Sequence, residues 1–103
     1  MIHTKQHLTE EVVRNLVANE QEIKASDEEL QILNAKLKVE KKTRDMEDMP
    51  ENLTHEFSYS IQALENMIVV EQNRNLELKT DQEVMQYRKK VIESQFTDSE
   101  LDG

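Results

Sequence analysis

The 103-residue chain has no cysteine and no tryptophan, a single proline, Pro50, and a single glycine, Gly103. Without thiols there can be no disulfide, no thiolate nucleophile and no zinc–thiolate site. Without an internal glycine, no tight loop can bring backbone amides against a phosphate in the way nucleotide-binding motifs do. Aromatic residues are 4% of the chain, so there is little bulk for a large core. The longest apolar run is Met67-Ile68-Val69-Val70, far short of the roughly 20 residues a membrane-spanning helix needs. The first residues, Met1-Ile2-His3-Thr4-Lys5-Gln6-His7, lack the apolar stretch of a signal peptide. Together with the missing cysteines, this leads us to expect a cytoplasmic protein with no membrane contact.

Positive charge is also scarce, with 13 Lys and Arg against 22 Asp and Glu and a net charge of −9. Binding nucleic acid through phosphates needs clustered cations that release counterions, so direct nucleic-acid binding is not expected. The acidity is spread out: residues 1–24, 25–50, 51–79 and 80–103 carry net charges of −1, −2, −3 and −3.

What remains is the composition of long helices, 34% charged and 36% hydrophobic, with apolar residues at regular intervals. Leu16, Ile23, Leu30 and Leu37 recur every seven residues, flanked by Val12 and Leu33, while Asn19 and Ser26 interrupt the companion positions. Phe57, Leu64, Leu78, Met85 and Ile92 follow the same interval, with Glu71 in the missing place. Ile61, Ile68 and Val70 thicken the first part of that row, and Val84, Val91 and Phe96 the last.

Pro50 is the one strong punctuation mark between the two rows. Proline is poorly tolerated inside a helix and well tolerated in its first turn. Asp48, followed three residues later by Glu51, reads as an N-cap with its capping-box partner. The expected fold is therefore all-α, an antiparallel helical hairpin or small coiled-coil-like bundle, with its turn at residues 48–52. If facing positions sum to about 101, as a turn at Pro50 requires, Leu37 meets Leu64, Ile23 meets Leu78 and Leu16 meets Met85.

Thr9, with Glu10 and Glu11 behind it, reads as the N-cap of the first helix, which leaves residues 1–8 as a flexible N-terminus. Ser26-Asp27-Glu28-Glu29 and Thr80-Asp81-Gln82-Glu83 are further capping boxes. Each helix therefore has one place where the sequence permits a break. Residues 97–103 are short and acidic and read as a disordered tail, leaving residues 9–96 as a single helical domain.

A second stripe, Ile32, Val39 and Met46, with Ala35 and Met49 nearby, lies away from Leu30, Leu33 and Leu37 on the same helix. One helix cannot bury both stripes against a single neighbour, so either a third helix or another chain must cover the second.

No constellation for catalysis stands out. His3 and His7 share a helix spacing but have no third ligand nearby, and His55 lacks a Glu-x-x-His partner. Carboxylates are abundant, but a thin helical seam rarely forms the concave pocket that would shift their pKa values. We therefore expect no enzyme activity, no metal and no cofactor.

The leading expectation is a helical module that self-associates, as a dimer, and binds or inhibits a protein partner through an apolar face. Its contact residues would be Ile32, Val39 and Met46, with Tyr59, Tyr87 and Arg88 as anchors, because aromatics and arginines dominate interface energetics. Two alternatives belong to other classes: an acidic mimic that blocks a nucleic-acid-binding protein, and an architectural subunit whose function is assembly. The basic runs Lys41 to Arg44 and Arg88 to Lys90 count against the mimic.

Overall fold

In a computed structural model, which describes residues 3–102, the chain is an all-α helical hairpin. Helix α1 spans Thr4–Arg44, α2 spans Glu51–Gln95, and a short α3 spans Asp98–Asp102. No strand occurs among the described residues. Met1 and Ile2 of the expected flexible N-terminus, and Gly103 of the expected tail, lie outside the described residues. The chain divides into two compact units, each made of part of α1 and part of α2. The terminal unit holds the residues up to Lys24 and those from Leu76 onward, and the turn unit is Ala25–Asn75.

In the turn unit the apolar repeat does what its spacing requires. Leu33, Leu64 and Ile68 form the buried cluster, with Leu30 and Leu37 packed against it, and Ile61 is also buried. Leu37 and Leu64 thus share one core, as the expected register demands. Each such side chain contributes on the order of 1.5–3 kcal/mol by leaving water. The row alternates steps of three and four, the signature of a two-helix seam.

The reversal between α1 and α2 occupies residues 45–50. Lys41, Lys42 and Arg44 occupy the last turn of α1, where cations favour the helix dipole. The expected N-cap at Asp48 is displaced. The Pro50 carbonyl accepts from the N–H groups of Leu53 (3.0 Å) and Thr54 (3.1 Å), so Pro50 itself stands at the cap and Glu51 is the first helical residue. Proline suits that place because its missing N–H is not needed there.

Neither of the two permitted interruptions occurs. Ser26 lies within α1 and is fully buried, in the companion row of the seam that it interrupts. Thr80 lies within α2 and donates to the Leu76 carbonyl one turn back. A capping box works only if its side chains turn to the helix end, and here the Ser26 hydroxyl has a tertiary partner instead.

The terminal unit corrects two further expectations. Helix α1 begins at Thr4 and not at Thr9, whose hydroxyl donates back to Lys5 within the helix. The first helical amide, that of Thr4, donates to the Asp102 carboxylate at 3.1 Å. Helix α3 replaces the disordered tail expected over residues 97–103. It is opened by a capping box in which the Thr97 N–H reaches Glu100 Oε1 at 3.1 Å and the Glu100 N–H reaches Thr97 Oγ1 at 3.3 Å. The Lys5 ammonium donates to the Phe96 carbonyl at 2.8 Å, satisfying one of the acceptors left at the end of α2.

Candidate protein-interaction surface

The seam determines what the surface is, because a residue one or two places away from a seam position points outward. On α1, Ile32 and Val39 stand seven apart, next to Leu33 and Glu40 in the chain, and are 49% and 64% exposed. A shallow groove on this unit is lined by Glu29 and Leu33 of α1 and by Asn66, Met67, Val70 and Glu71 of α2. Ile32 lies one turn on from Glu29, so helix geometry puts Ile32 and Val39 on the side where this groove opens. Met67 and Val70 are half or more exposed, at 51% and 67%. One side of the turn unit therefore presents apolar groups from both helices.

Met46 falls just beyond the last turn of α1 and is exposed. It lines a second, open groove with Lys38, Lys41, Lys42, Asp45 and Glu47. Here an apolar floor is rimmed by lysine stems, which cover apolar surface while their charges stay in water.

The other sequence-derived contact residues are not gathered with these. Tyr59 is exposed on α2 of the turn unit, but two positions from Phe57 and from Ile61 it projects away from the seam. Tyr87 and Arg88 belong to the terminal unit, where Tyr87 borders a polar groove with Glu83, Gln86 and Lys90.

Beneath this surface the seam contains polar contacts that the repeat alone did not reveal. In the turn unit the Asn75 amide donates to Ser26 Oγ at 3.1 Å and to Asp27 Oδ1 at 2.8 Å. Ser26 and Asn75 are both buried, so each satisfies a group that would otherwise lose its water for nothing. At Glu71, the misfit in the repeat, the carboxylate is mostly covered and accepts from Arg74 one turn on at 3.0 Å. Ser60 donates to Glu40 across the helix pair at 3.1 Å.

In the terminal unit the buried Asn19 donates to the Leu78 carbonyl at 3.0 Å, while its own Oδ1 is buried and has no protein hydrogen-bond partner. The sequence held one signal for these residues. Asn19, Ser26 and Leu33 are seven apart, as are Ile61, Ile68 and Asn75, so strict phasing of the repeat places the polar residues in the seam.

The Asp102 carboxyl is held below its ordinary value by hydrogen bonds from the Thr4 side chain and then its backbone N–H, with His3 adding a smaller effect. Among the described residues, no group of three or more His, Asp or Glu side chains is placed to hold a metal ion, and no helix is long and apolar enough to cross a membrane.

No protein-family model, curated protein or solved structure matches this chain.

Proposed function

We propose that the chain is a non-enzymatic, helical protein-binding module that self-associates and that binds or inhibits a protein partner through the apolar face of its turn unit. One observation carries this reading. Ile32, Val39, Met67 and Val70 are about half exposed or more on one side of a unit whose own core is already filled by Leu33, Leu64 and Ile68. Apolar side chains grouped on one side, rather than scattered singly, are what interaction sites present. A helix laid along this side would meet anchors at helical spacing.

The test is a triple variant, Ile32→Ser, Val39→Ser and Met46→Ser. All three positions are exposed, so helicity and cooperative unfolding are expected to persist while association is lost. Retention of every association by this variant contradicts the reading. Salt provides a second discriminator: affinity carried by apolar contact changes little with ionic strength, whereas an acidic mimic of nucleic acid would lose its partner steeply.

A further inference from the structure

The exposed stripe on α1 lies between charges of opposite sign. Glu28 and Glu29 precede Ile32 and Lys42 follows Val39, with Lys36 and Lys38 between the two and Glu40 and Lys41 engaged by Ser60 and Glu65 of α2, all on α1 of the turn unit. Viewed down the helix, the stripe positions Ala25, Ile32 and Val39 are flanked on one edge by Glu28, Ala35 and Lys42, each row repeating every seven residues. Ala25, Glu28, Ala35 and Lys42 are all exposed.

A face with acid at one end and base at the other is complementary to itself when turned end for end. Laid antiparallel against a second copy, Ile32 meets Val39 and Val39 meets Ile32. Glu28 of each copy then meets Lys42 of the other. Ala35 falls on the two-fold axis, where a small side chain lets the two backbones approach. A parallel arrangement would set Glu28 against Glu28 and Lys42 against Lys42, and like charges held opposite each other oppose association.

We infer that the turn unit's apolar face is covered by a second copy of this chain, packed antiparallel through α1 about a two-fold axis beside Ala35, with reciprocal Glu28–Lys42 pairs fixing the direction. This inference rests on the reading of the face as a protein-binding surface and names its occupant. The two-fold makes the contact closed, with the same patch used on both copies. Met67 and Val70 of each copy border the contact on the side away from Glu28 and Lys42.

The absence of cysteine makes a direct test available on the full chain. Single variants Ala35→Cys and Lys42→Cys are each oxidised under mild conditions. Ala35→Cys is expected to cross-link with itself and Lys42→Cys is not, because in the antiparallel pair its counterpart is Glu28. Equal self-cross-linking of both would show a parallel pair and overturn the inference.

Charge reversal gives an independent readout by sedimentation equilibrium. Glu28→Lys and Lys42→Glu are each expected to weaken self-association roughly tenfold, and an equimolar mixture of the two to regain much of the loss as a heterodimer. No weakening by either variant, or no recovery on mixing, contradicts the inference. A wild-type chain that stays monomeric at every concentration also overturns it. The binding-module reading fails separately, when the triple serine variant keeps every association with other proteins that the wild type shows.

Discussion

The two units are built on the same repeat but held in different ways. In the turn unit the seam is filled by Leu33, Ile61, Leu64 and Ile68, all buried, and its polar residues Ser26 and Asn75 satisfy each other. In the terminal unit Leu78 is the only buried apolar residue among those described. Its seam neighbours Val12, Leu16, Ile23, Met85 and Ile92 are only half-buried, and Asn19 has an unpaired oxygen. The terminal unit relies instead on capping: Lys5 to Phe96, Thr4 to Asp102, and the Thr97–Glu100 box. Burial of apolar surface is worth kilocalories per side chain, whereas exposed polar contacts are worth tenths to about one. Identical spacing therefore does not give identical stability, because residue type at each seam position decides how much water is displaced.

The largest expected effect strikes the stronger unit. Leu33→Ala, at a site 2% exposed, should cost about 2–5 kcal/mol in urea or thermal unfolding, and Leu16→Ala in the terminal unit clearly less. Equal costs would remove the contrast. Next comes Asn75→Ala, which leaves the buried Ser26 hydroxyl without its Asn75 donor, and should cost about 1–3 kcal/mol by the same measurement.

A substitution of opposite sign narrows the gap between the units. Asn19→Leu replaces a buried amide with an unpaired oxygen by an apolar group in the seam, and should stabilise by about 1 kcal/mol, detected as a raised unfolding midpoint. Destabilisation by this change would mean that Asn19 is satisfied in solution, by water for example.

The smallest effect is the pH dependence of the cap on α1. Asp102 has its folded-state pKa below the ordinary 3.8, so its contribution is fully present above that value and is lost as pH falls through the lowered one. Protection of the Thr4 amide, its exchange measured against the intrinsic rate at each pH, should therefore fall only in that acid range. Asp102→Asn should abolish this pH dependence while leaving the turn unit's unfolding unchanged.

Much of the fold was legible because it depends on period and punctuation. Two rows of apolar residues seven apart, separated by Pro50, give two helices, their reversal and the shared core of Leu37 and Leu64. What escaped depends on partners distant in the chain. Ser26 reads as a cap until Asn75, 49 residues away, is found beside it. The start of α1 at Thr4 follows from Asp102, 98 residues away, which no local pattern contains. The box at Thr97 and Glu100 was readable, but the acidic composition around it pointed to disorder. On the surface, the spare stripe of Ile32 and Val39 could be traced from spacing alone. Its neighbour Met67 emerged only when the helix pairing set it on the same side, and Val70, which spacing places in the α2 row with Ile61 and Ile68, is instead 67% exposed beside it.

Native-state hydrogen exchange, resolved residue by residue, tests the contrast between the units most directly. The slowest amides are expected at residues 30–37 and 61–68, opening only with global unfolding, and faster exchange at residues 12–23 and 78–92. Uniform protection along both helices, or slower exchange around Asn19 than around Leu33, would contradict it.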